Sequence, residues 1–85
     1  MYTISKVADK RLYKIEREGM PDFYARSWQD AGRELASLEI DEKQLEFQTG
    51  NPLDRHMILA FMHANWVLNR SKKNAAKKYF HFLAV

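Results

Sequence analysis

Apolar residues recur at helical spacing along most of the chain, beginning near its N-terminus. The first such segment, Lys6–Glu18, carries its apolar residues within an arc of about 140° on a helical wheel. Ser5 suits the N-cap position, and Gly19 suits the residue just past the C-terminus. We therefore predict a first helix over Lys6–Glu18. The alternative is a β-hairpin through Thr3–Val7 and Leu12–Arg17, which is disfavoured because no Asn-Gly or Asp-Gly turn connects these segments.

A second helix is predicted to begin after Ser27 and to end near Leu38. Ser27 and Asp30 have the spacing of a capping box, with the shorter Asp in the usual Glu position. The connector before this helix, Asp22–Arg26, contains Phe23-Tyr24-Ala25, which would also suit a short strand. One face of the predicted helix holds Trp28, Ala31, Gly32, Leu35, Ala36 and Leu38.

A third segment repeats the capping pattern, because Asp41 is followed three residues later by Gln44. We predict a short helix that ends near Gly50. A strand is the alternative, since Leu45 and Phe47 are spaced by two residues, as on one face of a sheet.

The strongest predicted helix begins at Asn51-Pro52, which suit the N-cap and the first helical position, and it ends near Asn69. It has two apolar strips, and a helix with two apolar sides packs against neighbours on both or forms a dimer. The main strip consists of Leu53, Met57, Ala60, Phe61, Ala64, Val67 and Leu68. The second consists of Ile58, Leu59, Met62 and Trp66.

A final helix is predicted over Lys72–Leu83, with Ser71 as its N-cap. A strand over Tyr79–Val85 is the alternative, because aromatic residues are dense there. The residues predicted to face inward are Ala75, Ala76, Tyr79, Phe80 and Leu83.

These elements predict an all-α fold, a compact bundle of four to five short helices that forms a single domain over residues 1–85. The alternative is an α+β fold with a small antiparallel sheet. A chain of 85 residues can form one core, and 46% hydrophobic residues argue against disorder. The longest stretch without charge, His56–Asn69, is shorter than the roughly 20 apolar residues of a membrane span. Met1–Lys10 has no signal-peptide pattern, so we expect a cytoplasmic protein.

Charge is distributed unevenly along the chain. Residues 1–50 hold eight basic and ten acidic side chains, a net charge of −2. Residues 51–85 hold six basic side chains and only Asp54 as an acid, a net charge of +5. The second half is therefore suited to an anionic partner.

The sequence has no pattern typical of an enzyme or of a bound cofactor. It contains no cysteine, no glycine-rich phosphate loop and no nucleophile-and-base motif, so we expect a protein that is not an enzyme. His56 and His63 lie seven residues apart, about 10 Å along a helix, which is too far for one metal ion to bind both. We expect neither a metal nor a cofactor.

The basic second half predicts a nucleic-acid-associated protein that binds the phosphate backbone of DNA or RNA. Repeated cations on a helix suit phosphates, whereas no side chains are arranged to recognise bases, so binding should be weakly sequence-specific. The predicted nucleic-acid-binding residues are Arg55, Arg70, Lys72, Lys73, Lys77 and Lys78.

Two other functions remain open. One is a protein-binding regulator or inhibitor of the compact kind that phages and mobile elements encode. It would use aromatic residues in excess of what a small core can bury, namely Phe23, Tyr24, Trp28, Trp66 and Phe82. The two-sided long helix could also pack on a second copy, which makes a homodimer one option. The other function is binding to an anionic membrane surface through the amphipathic segment Lys72–Val85.

Overall fold

The computed structural model describes the backbone of residues 1–84 and the side chains of residues 1–70. Over this range the fold is α+β, with a four-stranded sheet of order β3-β2-β1-β4 and two α-helices. The elements are β1 (Tyr2–Lys6), β2 (Tyr13–Glu16), β3 (Phe23–Ala25), α1 (Trp28–Ser37), a 3₁₀ turn (Glu42–Gln44), β4 (Leu45–Phe47) and α2 (Pro52–Ala84). The prediction of an all-α bundle of four to five helices is therefore wrong. The sheet is also mixed rather than purely antiparallel.

The predicted first helix, Lys6–Glu18, is replaced by an antiparallel hairpin of β1 and β2. Ile4 lies opposite Ile15, and both side chains are fully buried. The apolar residues of this segment group on one face of a helix, but they also alternate with polar residues as in a strand. Burial against the two helices favours the strand. The loop closes without an Asn-Gly turn because Asp9 adopts a left-handed conformation, with φ of 60°.

The connector before α1 is extended, as its composition suggested. Phe23–Ala25 forms β3, which pairs antiparallel with β2. Gly19 does not end a helix; it lies in the turn between β2 and β3, where its φ of 71° is in the left-handed region that glycine adopts without strain.

Helix α1 confirms the second predicted helix within one residue at each end. The Ser27 side chain accepts a hydrogen bond from the Asp30 backbone N–H at 3.0 Å. The Asp30 carboxylate in turn accepts from the Arg26 backbone N–H at 3.2 Å. Gly32 faces α2, and a Cβ at this position would lie 2.5 Å from the Cβ of Phe61, so the two helices approach too closely for any side chain here.

The predicted third helix is wrong beyond Gln44. The capping box of Asp41 and Gln44 is present, but it caps only the 3₁₀ turn. The following residues form β4, which pairs parallel with β1 and places Phe47 opposite Ile4. The strand alternative is therefore correct, because an edge position beside β1 satisfies the backbone of Leu45–Phe47.

Helix α2 begins at Pro52 as predicted, and the Asn51 side chain accepts a hydrogen bond from the Leu53 backbone N–H at 3.0 Å. It does not end near Asn69. The helix continues without a break through Ser71 to Ala84, so the prediction of a separate helix over Lys72–Leu83 is wrong. The side chains of the predicted inward set in this last segment, from Ala75 to Leu83, lie outside the described residues.

The core lies between the sheet and the two helices, with Ile4, Ile15, Leu35 and Ile58 fully buried. Helix α2 contributes Ile58, Leu59 and Met62 of its second apolar strip to this core, whereas Met57 and Phe61 of its main strip are only half-buried. Leu53, Val67 and Leu68 of the main strip are 48%, 60% and 57% exposed. Among the described residues, the body therefore covers one apolar side of α2 and leaves much of the other exposed.

Candidate functional site

The second half of α2 projects away from the rest of the molecule. Met62 is the last buried residue along the described part of the helix, and Asn65 is half-buried. Every side chain from Trp66 to Arg70 is exposed. We call residues 66–84 the projecting half of α2. Its sequence contains five basic residues and no acidic one.

At the start of the projecting half, where the structure describes the side chains, a cation is stacked on an aromatic ring. The guanidinium carbon of Arg70 lies 3.8 Å from the centre of the Trp66 ring. This pair has the i, i+4 spacing that places side chains beside one another on a helix. Stacking uses the face of the guanidinium and leaves its five N–H donors, which lie in its plane, for other partners.

Arg55, the other predicted nucleic-acid-binding arginine, has a different environment. Its Nη2 lies 2.9 Å from Glu42 Oε1, and its guanidinium also lies over the Phe47 ring. It is separated from Arg70 by fifteen residues, about 22 Å along the helix. The structure therefore does not bring the two arginines together. The remaining predicted residues, Lys72, Lys73, Lys77 and Lys78, are on the α2 backbone, and their side chains lie outside the described residues.

The predicted aromatic surface is dispersed. Phe23 and Trp28 are half-buried and pack against the core. Tyr24 is exposed on the edge strand β3, and Trp66 is exposed on α2. Phe82 lies outside the described side chains.

A polar site that sequence reasoning missed lies where the N-terminal ends of α1 and α2 meet. Asp54, in the first turn of α2, is only 2% exposed. Its Oδ1 accepts two hydrogen bonds, from the Tyr13 hydroxyl at 2.8 Å and from Trp28 Nε1 at 3.0 Å. Its Oδ2 is buried and has no hydrogen-bond partner among the described residues. Burial, followed by the hydrogen bond to Asp54, raises the pKa of Tyr13, which therefore stays a donor at neutral pH.

An open pocket of about 370 Å³ adjoins this buried network, and we call it the Asp54 pocket. Its lining includes three exposed cations, Lys6, Arg11 and Arg26. No carboxylate of the described residues lies within ion-pair distance of any of them. The rest of the lining is Tyr13, Ser27, Trp28, Asn51 and Asp54.

The pocket could not be recognised from the sequence because its residues are distant along the chain. Tyr13 is 41 residues from Asp54, and Trp28 is 26 residues from it. The three cations belong to the half of the chain that has a net negative charge. The charge balance therefore gave no indication that these three residues lie close together. The one available signal was Asp54 itself, the last acidic residue in the chain and the only one within α2.

Comparison with known proteins gives no match: no family model fits the chain, and no curated protein or solved structure is significantly similar to it. Within the described part of the chain, no helix combines the length and apolar character that crossing a membrane requires. Among the same residues, no three His, Cys, Asp or Glu side chains are grouped closely enough to hold a metal ion. The geometry of the chain itself is therefore the basis for assigning a function.

Proposed function

We propose that this protein associates with nucleic acid by binding the phosphate backbone through the projecting half of α2. One observation carries the proposal: Arg70, held against Trp66, lies on a helix that leaves the body, and the sequence beyond it adds four lysines without an acid. A straight helix with repeated cations can follow a phosphate backbone, and each phosphate contacted releases counterions.

Binding through this segment is electrostatic and weakly sequence-specific. Five cations that each contact a duplex phosphate give a slope of about −4.5 in a plot of log affinity against log salt concentration. Arg55 contributes little in this proposal, because Glu42 already neutralises it. This revises the set of binding residues to Arg70 and the four lysines that follow.

Fluorescence anisotropy with labelled DNA and RNA duplexes of mixed sequence, measured across a salt series, tests the proposal. Lys77→Glu/Lys78→Glu should weaken binding at least tenfold and make the salt slope shallower by about two, one for each lysine replaced. Arg33→Glu/Lys43→Glu is the matched control, because both residues are exposed on the body and the charge changes equally. Its affinity should fall much less. Binding weaker than ~10⁻⁴ M in low salt, or equal losses in both variants, rejects the proposal.

A second candidate function, protein binding, is favoured by the exposed apolar face of α2. Leu53, Val67 and Leu68 are each about half exposed, and no charged residue interrupts their face. We define the α2 stripe as Leu53, Ala60, Ala64, Val67 and Leu68, all exposed. A contiguous apolar stripe of this kind is typical of a partner surface.

The partner that fits the α2 stripe best is a second copy of this chain. An uncharged stripe is self-complementary across a two-fold axis, and its small alanines allow two helices to approach closely. In an antiparallel pair, the basic projecting half of one copy extends past the start of the other copy's α2. The segment just before that start carries the exposed acids Asp41 and Glu46, so the charges of the two copies are complementary in this pair.

A further inference from the structure

The Asp54 pocket combines features of a small-molecule site that lies apart from the projecting half of α2. Asp54 and Arg70 are separated by sixteen residues, about 24 Å along the helix axis. A volume of about 370 Å³ is within the range of small-ligand pockets. The charges of the lining and the buried carboxylate restrict the ligand chemistry that this space can accept.

The buried carboxylate requires a hydrogen-bond donor. Asp54 Oδ1 is satisfied by Tyr13 and Trp28, whereas Oδ2 has no partner among the described residues. A buried polar atom without a partner is costly, and nearly all such atoms in native proteins are paired with protein, water or ligand. Asp54 lines the pocket but its Oδ2 is enclosed, so completing Oδ2 from the pocket requires a small shift of the lining, which the exposed side chains of Arg11 and Arg26 permit.

The charges of the lining select an anion. Lys6, Arg11 and Arg26 against Asp54 give the pocket a formal charge of +2. Ser27 and Asn51, the N-caps of α1 and α2, also line it, so the positive ends of both helix dipoles add to this charge. The matching ligand has a net charge of about −2, as a phosphate monoester does near neutral pH, whereas a zwitterionic amino acid has none.

We propose that the Asp54 pocket binds a small phosphate monoester, whose phosphate group pairs with Lys6, Arg11 and Arg26 and whose hydroxyl or amino group donates to Asp54 Oδ2. Arginine forks are suited to phosphate, and a ligand that also carries a donor accounts for a carboxylate in the same lining as three cations. Sugar phosphates and nucleoside monophosphates share this chemistry. The proposal is independent of nucleic-acid binding by the projecting half.

Isothermal titration calorimetry of the full chain with ribose 5-phosphate, adenosine 5′-monophosphate and inorganic phosphate tests the inference. At least one ester should bind more than tenfold more tightly than inorganic phosphate, because an ester carries a donor for Asp54 in addition to the phosphate group that the cations hold. The ester that binds more tightly shows whether the ligand is a sugar phosphate or a nucleoside monophosphate. Arg11→Ala/Arg26→Ala should weaken ester binding at least tenfold, and this variant is expected to fold because both side chains are exposed.

Asp54→Asn supplies the second measurement. Its amide oxygen can still accept from Tyr13 and Trp28, but its NH₂ group replaces the acceptor that the ester requires. The preference for ester over inorganic phosphate should disappear in this variant. Lys10→Ala, at an exposed loop position outside the pocket lining, is the control that should bind as the unaltered protein does.

The nucleic-acid variant keeps the two proposals distinguishable. Lys77→Glu/Lys78→Glu should leave ester affinity unchanged, whether or not it abolishes nucleic-acid binding. The pocket proposal is overturned if no ester binds below ~1 mM, or if Arg11→Ala/Arg26→Ala binds esters as tightly as the unaltered protein.

Discussion

Among the individual side chains, Asp54 connects three elements that are far apart in the chain. Its Oδ1 receives the Tyr13 hydroxyl from β2 and the Trp28 indole N–H from α1. Hydrogen bonds to a buried carboxylate are stronger than those between neutral groups, and removing one partner leaves a buried polar atom unsatisfied. Asp54 thus connects the sheet with the starts of both helices, and it lines the Asp54 pocket.

The raised pKa of Tyr13 predicts a loss of stability in alkali. The folded state keeps the hydroxyl protonated above pH 10, where the unfolded chain loses that proton. The free energy of unfolding should therefore fall as the pH rises above 10, by at most about 1.4 kcal/mol per pH unit from this group. Urea unfolding at several pH values between about 8 and 11 measures it. In Tyr13→Phe the decline should be shallower, and an identical decline would contradict the assignment.

Among the secondary-structure elements, both α-helices begin directly after the N-cap residues that the sequence predicts. Ser27 and Asn51 each accept a backbone N–H of the helix that follows, and both helices begin where these residues predict. Ser5 was predicted to cap a helix in the same way, but it lies within β1 and pairs with Lys14 across the hairpin. A suitable cap residue does not form a helix when the segment can bury itself as a strand.

This contrast gives a prediction for two serines. Ser27→Ala removes a hydrogen bond to the start of α1 and should lower the free energy of unfolding by about 1 kcal/mol. Ser5→Ala removes no cap and should cost less than half as much. Thermal unfolding followed by circular dichroism compares the two variants. Equal losses would contradict the assignment of Ser27 as the only one of the two that caps a helix.

In the molecule as a whole, α2 is far longer than the body it packs on. The molecule measures 56 × 26 × 22 Å, and a helix of 33 residues accounts for about 50 Å of its longest dimension. The body covers one side of the helix up to Asn65, while the α2 stripe stays exposed. A helix end with exposed leucine and valine gains stability by packing on a partner.

The α2 stripe predicts a concentration-dependent dimer. Sedimentation equilibrium of the unaltered protein should show dimers at concentrations of roughly 0.1 mM, and Val67→Glu/Leu68→Glu should shift it to monomers, because charges would face each other across the axis. Met20→Glu, at a residue 47% exposed outside the stripe, is the control that should still dimerise. A monomeric unaltered protein at this concentration would exclude a second copy as the partner.

The starts of both helices could be predicted from the sequence, because capping depends on neighbouring residues only. Ser27, Asn51 and Pro52 placed them correctly. The spacing of Leu45 and Phe47 allowed a strand for the same local reason. The uneven charge along the chain also follows from the order of residues without any knowledge of the fold, whereas the continuation of α2 beyond the body does not.

Tertiary packing decided between the helical and the strand period where the apolar residues were compatible with both. The residues around Ile4 and Ile15 fit a helix or a hairpin, and their burial against α1 and α2 selected the hairpin. Likewise α2 has two apolar faces, and the body covers the one with Ile58 and leaves the other exposed. The Asp54 pocket could not be predicted either, because its charges converge only when β1, β2 and both helix starts pack together. Burial and long-range grouping depend on the whole fold, whereas caps and charge runs do not.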